Sequence, residues 1–357
     1  MTLAAKPSDK IKVTFLNPSN IESDFWNTVT SFMKAAGNDL GIDITVHFAS
    51  TDRRHMETYF EFKNDIAEKK IPDYLVMAYV RGGTTERIMK MAKDANVKVI
   101  IFNTDIPEED RKKIGKPRGK FPNWIGHIFP DDEKAGFDLA DILIKSASKG
   151  LASKDGKIEV VGISGDRLSS AALLRNKGLE LAVKKNKQVL RQVIYADWVR
   201  ENAQKKTETL LKRYPNTRVF WSASDSMSLG IIEGIKNSNK VPGKQIVTGG
   251  VDWMPDALNA ISDGRMSASI GGHFMEAGWV MVMLYDYHNG KDFANSEGIS
   301  FESRMNIIHQ DNIADYQKYF KDRNWEKIDF KKFSKVLNPK LKKYDFSLDA
   351  ILKDLNK

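Results

Sequence analysis

The sequence predicts an α/β fold built from two successive doubly wound parallel sheets, and three observations carry that prediction. Short apolar strands alternate with helical stretches along most of the chain, an order that sets parallel strands side by side with helices on both faces. At 357 residues, 41% of them hydrophobic, the chain exceeds one ordinary domain and can bury two cores. Two stretches, Arg218 to Gly230 and Ile246 to Leu258, each run from an apolar strand through a turn carrying a carboxylate into a helix. Such strand-to-helix turns are where open α/β sheets bind small ligands.

The elements come in order. Ile11 to Leu16 reads as a strand, and Asp24 to Leu40 places Phe25, Val29, Phe32, Met33, Ala36 and Leu40 on one helical face, closed by Gly41. Ile42 to Val46 alternates as a strand, Met56 to Lys69 is helical, and Tyr74 to Ala78 is a buried strand ended by Arg81-Gly82-Gly83. A helix through Ile88, Met91 and Ala95 leads to the strand Val97 to Phe102. Pro107 to Pro122, with its charges, prolines and glycines, has no usable period and is expected to be a surface excursion.

After Trp124 to Ile128 a helix opens at Pro130-Asp131-Asp132-Glu133, whose acids suit its N-terminal dipole. The second series is strand 158–163, helix 171–183, strand 192–195, helix 200–213, strand 218–221, helix 227–235, strand 245–251 and helix 255–262. Met266 to Gly272 adds a strand, Met275 to Tyr287 a long apolar helix, and Asn306 to His309 a late strand. The tail from about Ala314 is rich in Lys and aromatics but too poor in apolar residues for a third domain, so it is expected to pack on the body.

Composition excludes several classes. The longest apolar run, Trp279 to Tyr285, is far short of the roughly 20 residues a membrane-spanning helix needs. Met1 to Pro7 has no cationic region followed by an apolar run and does not read as a complete secretory signal. Cysteine is absent, which removes disulfides, thiolate metal sites and cysteine nucleophiles together. The net charge of +9 is spread over short pairs such as Lys112-Lys113 and Lys205-Lys206, so no nucleic-acid surface is expected. The six histidines, at 47, 55, 127, 273, 288 and 309, lack metal-ligand spacing. Gly162-Ile163-Ser164-Gly165 lacks the spacing of a nucleophile elbow, and Gly82-Gly83 lacks the Lys-Ser/Thr of a phosphate loop. Neither a catalytic set nor a cofactor is expected.

The order of motifs resembles the type I periplasmic sugar-binding proteins, the family of ribose, galactose and glucose binders related to LacI effector domains and to the autoinducer-2 receptor. The resemblance rests on Asn17-Pro18-Ser19-Asn20 with Asp24-Phe25-Trp26, on Ile100 to Asp105, on Leu174-Arg175-Asn176-Lys177-Gly178, and on Ala196-Asp197-Trp198. It continues through Ser224-Asp225-Ser226-Met227-Ser228-Leu229-Gly230, with Ser at the family's Asn position, and Gly250-Val251-Asp252. It spans roughly Ile11 to Asn312. It implies two lobes joined by a three-crossing hinge, residues 10–127 with 273–306 and residues 128–272 with 307–316, and then an extension over 317–357. Gly271-Gly272-His273 stands where a Gln or Asn usually faces the ligand.

A sugar presents apolar ring faces and many hydroxyls, so its site needs flat aromatics beside fixed planar donors and acceptors. The resemblance marks Asp252 as an acceptor for two hydroxyls, with a helix cap ahead of Pro255 as the other reading. Arg175 is a donor or one half of a surface ion pair. Asn103 is a ligand contact or turn chemistry with Asp105. Ser224 and Asp225 are ligand contacts or helix caps; Phe25, Trp26 and Trp198 stack on the ring or pack in the core. His273, after the strand near a hinge passage, is a ligand contact or a structural histidine.

The resemblance implies a monomeric periplasmic receptor, its signal peptide removed, that closes around a monosaccharide or related polyol and delivers it to an ABC importer. The alternative is a ligand-binding subunit for a membrane histidine kinase or cyclase. No nucleic-acid partner is expected, because no DNA-reading head precedes the strand at Ile11.

Overall fold

The computed structural model describes residues 10–50, 55–320 and 322–355. The stretch Met1 to Pro7, with its question of a secretory signal, lies outside the described residues. The chain divides into two compact units. Unit 1 holds the residues up to Phe129, Phe274–Ser303 and the chain from Asn324; unit 2 holds Pro130–His273 and Arg304–Arg323.

The first series runs β1 (Lys12–Asn17), α1 (Asp24–Leu40), β2 (Asp43–Phe48), α2 (His55–Ala67), β3 (Tyr74–Met77), α3 (Thr84–Asp94), β4 (Lys98–Phe102), α4 (Glu108–Ile114) and β5 (Trp124–Pro130). The second runs α5 (Asp132–Ser148), β6 (Glu159–Ser164), α6 (Ser170–Lys185), β7 (Val189–Tyr195), α7 (Arg200–Arg213), β8 (Thr217–Ser222), α8 (Asp225–Asn237), β9 (Val247–Val251), α9 (Pro255–Ser262) and β10 (Ala268–Gly271). Then come α10 (Glu276–His288), β11 (Ser300–Ser303), β12 (Asn306–His309), α11 (Ile313–Phe320) and α12 (Leu348–Leu355).

Unit 1 orders its strands β11-β5-β4-β3-β1-β2, and unit 2 orders its own β12-β10-β9-β8-β6-β7. In each, the first strand sits between the second and the third, and the pairs among the first five are parallel. Strand order therefore reverses at β1/β3 and at β6/β8, and the crevice beyond the carboxyl ends of those strands is the usual ligand position of such sheets. β12 closes the unit 2 sheet antiparallel to β10. Trp124 and Phe15 in unit 1 and Trp221 and Phe220 in unit 2 are fully buried, each worth about 1.5–3 kcal/mol of removal from water.

Two features differ from the sequence expectation. The excursion 107–122 contains α4, whose first turn is Glu108, Glu109 and Asp110 and whose last is Arg111, Lys112 and Lys113. These charges match the helix dipole at both ends, a signal that the lack of apolar period conceals. The tail, beyond β12 and α11, returns to unit 1 at Asn324, so that besides passages at 129/130, 273/274 and 303/304 the chain makes a fourth.

Aromatic residues account for that return. Phe32 on α1 is surrounded edge-on by Phe274, Trp279, Trp325 and Phe330 at centroid distances of 5.3–5.9 Å. Asp286, buried on α10, accepts from the backbone of Lys335 at 2.6 Å and Val336 at 3.2 Å, from Tyr344 Oη at 2.8 Å and from Ser334 Oγ. The tail completes the core of unit 1.

Candidate functional site

In unit 2 the carboxyl ends of the strands gather most of the sequence candidates. α5 and α6 cross backbone to backbone: a Cβ on Gly136 would stand 2.0 Å from the Arg175 carbonyl oxygen, and one on Gly178 would stand 2.1 Å from that of Glu133. Only glycine allows this approach, and it sets Asp132, the first residue of α5, against Arg175. Arg175 Nε donates to Asp132 Oδ1 at 2.7 Å, and Nη1 donates to the Ala223 carbonyl at 2.8 Å. The pair is buried, with Arg175 4% and Asp132 1% exposed, so the surface ion pair is not what Arg175 forms. It is a guanidinium held in one orientation.

Trp198 lies just beyond β7 and sits against Gly165, where a Cβ would meet its ring atoms at 2.1 Å. Its Nε1 donates to Asp166 Oδ2 at 2.9 Å, and the Arg175 guanidinium carbon lies 6.0 Å from its ring centre. Half-buried and fixed at its rim, the ring combines an exposed part with a set orientation. In the same unit, Ser164 Oγ at the end of β6 and Asp132 Oδ2 are buried and have no hydrogen-bond partner among the described residues. Orphaned polar atoms of this kind call for a ligand or an ordered water.

Asp252 does not cap α9, whose N-cap is Met254. Its carboxylate approaches His273 Nε2 at 3.5 Å. Burial, then the charge of Arg175, pushes the His273 pKa down to about 3, so the imidazole is neutral. Burial raises the Asp252 carboxyl above its ordinary value although Arg175 pulls the other way.

Asp225, fully buried, is raised by burial first and by the charge of Asp252 second. It accepts from Met254 N at 2.9 Å and Ser269 Oγ at 2.8 Å, and so anchors the turn that carries Asp252. Ser224 Oγ accepts from Met227 N at 3.3 Å as the N-cap of α8. For these two residues the geometry answers to the capping and anchoring reading, and their polar atoms are committed to it.

In unit 1, Trp26 packs on Phe15 and Phe102 at 6.4 Å each and meets Phe25 edge-on at 5.3 Å. Both Trp26 and Phe25 are half-buried. Asn103, just beyond β4, is 6% exposed, and its Nδ2 donates to Glu276 Oε2 at 3.3 Å.

Five of the eleven non-glycine residues with positive φ among the described residues lie at these places. Asn103 has φ +62°, Asp197 +58°, Trp198 +62°, Asp252 +132° and Trp253 +60°, all just beyond parallel strands β4, β7 and β9. Non-glycine residues in this region cost of order 1–3 kcal/mol and cluster where function requires them. The sequence reading does not single out Asp132, Ser164, Asp166 and Glu276 as candidates; the structure pairs Asp132 with Arg175, Asp166 with Trp198 and Glu276 with Asn103. In the sequence Asp132 reads only as an acid complementing a helix dipole, and no local pattern distinguishes that role from pairing with Arg175.

Comparison with known proteins gives the family of the chain. The family model described as "Periplasmic binding protein domain" matches residues 13–292. The chain is 28% identical over 204 residues to the galactofuranose-binding protein of Escherichia coli, covering 56% of this chain and 58% of that one. It is 24% identical over 253 residues to the D-allose-binding periplasmic protein of the same organism, covering 70% and 76%. The chain thus spans little more than half the length of the first of these curated relatives. A solved periplasmic sugar-binding protein from Pseudomonas fluorescens superposes with a TM-score of 0.84 at 31% identity, over 96% of this chain and 99% of that one. With two doubly wound units, polar and aromatic residues at their strand ends, and this match over most of its length, the chain belongs to the type I periplasmic sugar-binding protein family.

Proposed function

We propose that the protein is a periplasmic solute-binding protein that takes up a small polar ligand, a monosaccharide or related polyol, and delivers it to an ABC importer in the membrane. The observation that carries this reading is the convergence in unit 2 of one oriented guanidinium, Arg175, one aromatic face, Trp198, and one strand-end carboxylate, Asp252. A ring with hydroxyls on its edge and C–H groups on its face meets all three needs at once. The named relatives bind sugars, galactofuranose and D-allose among them.

The reading is of binding without turnover. Among the described residues no helix is long and apolar enough to cross a membrane, so a membrane component is a separate partner in this reading. The test is a thermal-melt screen of protein unfolded, refolded and thereby stripped, against D-ribose, D-allose, D-galactose, L-arabinose, methyl β-D-galactofuranoside and inositols. A ligand at about 100 times its Kd adds about 2.7 kcal/mol, several degrees of melting temperature. A shift with one sugar class is expected; a flat panel from correctly refolded protein overturns the reading.

A further inference from the structure

We propose that residues 336–343 form a loop that docks on an anionic phospholipid surface, Leu337 entering the acyl boundary while Lys340, Lys342 and Lys343 meet headgroup phosphates. This goes beyond the sugar reading and stands without it, because it concerns a surface of unit 1 and no sugar enters its test.

From Phe330 to Tyr344 the sequence holds six lysines and no acid. Three of the six are answered: Lys331 by Asp39, Lys332 by Asp354 and Lys335 by Glu297. The side chains of Lys340, Lys342 and Lys343 are exposed and make no ion pair or hydrogen bond among the described residues. These three share one loop, whose neck is closed by two acids. Asp286 accepts from Lys335 N at 2.6 Å and from Tyr344 Oη at 2.8 Å, and Glu297 accepts from Lys335 Nζ at 2.8 Å and from Tyr344 N at 3.1 Å. A compact surface loop with its ends held together in this way is of a kind that often carries function. Within it Leu337 is 44% exposed and Pro339 is exposed as well. The first acid beyond the neck, Asp345, is engaged by Ser347. An exposed leucine beside unanswered lysines matches an anionic membrane surface, where the leucine leaves water and the long lysine stems carry their charge to the phosphates. Arginine, the cation suited to bidentate contact with a carboxylate or a nucleic-acid phosphate, is absent from Asn324 onward. Lysine is a point charge on a flexible stem, which a lipid surface without fixed geometry can meet.

The test mixes the full chain at low salt with vesicles of phosphatidylcholine, either alone or with about one third phosphatidylglycerol, and reads the bound fraction by co-sedimentation. Each lysine at such a surface is worth about fivefold in partition, so binding to the anionic vesicles should exceed binding to the neutral ones by about tenfold or more. The variant carrying Lys340→Gln, Lys342→Gln and Lys343→Gln should lose about tenfold or more of that binding. Removing as many exposed lysines from unit 2, by Lys184→Gln, Lys205→Gln and Lys212→Gln, should cost less than about threefold. Equal binding to the two vesicles overturns the proposal. An equal fall in the two triple variants overturns it as well, because diffuse attraction by the net charge of +9 then accounts for the binding. Leu337→Gln should weaken binding to the anionic vesicles about threefold or more. Unchanged binding in that variant also overturns the proposal, since charge alone suits an acidic protein as well as a membrane. The four loop positions are exposed, so each variant should keep the melting temperature of the unaltered chain, and a loss of binding then reports the surface.

Discussion

Arg175 Nε and Asp132 Oδ1 stand 2.7 Å apart with side chains 5% and 0% exposed, a pair closed off from water at the crossing of α5 and α6. Removing one partner leaves a buried charge unanswered, which costs about 3–5 kcal/mol. Asp132→Ala is therefore expected to lower the urea midpoint of unit 2 strongly, while a joint replacement of both residues by apolar ones of similar volume should cost much less. Tryptophan fluorescence during urea unfolding reports it. A loss below about 1 kcal/mol for Asp132→Ala would show that the ion pair is open to solvent.

Asp225 gives the pH dependence a definite sign. Its carboxyl is raised above 3.8 in the folded protein by burial and by Asp252. The folded state then binds the proton more tightly than the unfolded chain, so this contribution to stability is fully present below 3.8 and is lost as the pH rises toward about 8. Asparagine at 225 carries no such proton. Between pH 4 and about 8 the unaltered protein should lose stability relative to Asp225→Asn, measured as urea midpoints at each pH. Parallel midpoints across that range would mean that the carboxylate is ionised throughout.

The alternation of strands and helices is legible in the sequence because parallel strands buried on both faces are apolar runs, and each leads into a helix with its own period. The strand-end positions Asn103, Trp198 and Asp252 are legible for the same reason, since they terminate those runs. Partnership is not legible. Asp225 and Asp252 both read as turn carboxylates, yet one is anchored to Met254 N and Ser269 Oγ and the other lies beside His273. Which acid anchors the turn and which lies beside His273 depends on side-chain direction across β9 and β10, and that depends on tertiary packing. α4 is hidden because its signal is electrostatic rather than periodic.

Trp198 and Gly165 make one feature of two residues. Trp198→Ala removes the aromatic face and is expected to weaken sugar binding about tenfold or more, near 1.4 kcal/mol. Gly165→Ala keeps the tryptophan but places a methyl 2.1 Å from its ring atoms, forcing it off its seat. Calorimetric titration should show a similar loss in both variants. Full affinity in Gly165→Ala would mean that the position of the ring does not matter to the ligand.

The tail reads as too poor in apolar residues for a domain of its own, yet Phe330 is fully buried and Trp325 is 4% exposed. Phe330 lies against Phe32 at 5.3 Å, and Trp325 Nε1 donates to Ser31 Oγ at 3.1 Å, so both reach α1. Phe330→Ala should cost about 3–5 kcal/mol, the usual loss for an aromatic deleted from a packed core. Ending the chain before Asn324 also uncovers Trp279 and deprives Asp286 of the backbone N–H groups of Lys335 and Val336. A buried acid left without donors is costly beyond the lost packing, so the shortened chain is expected to lose cooperative unfolding of unit 1. Calorimetric melting distinguishes the cases: a shortened chain that melts as the full chain does would make the tail an ornament on a core already complete without it.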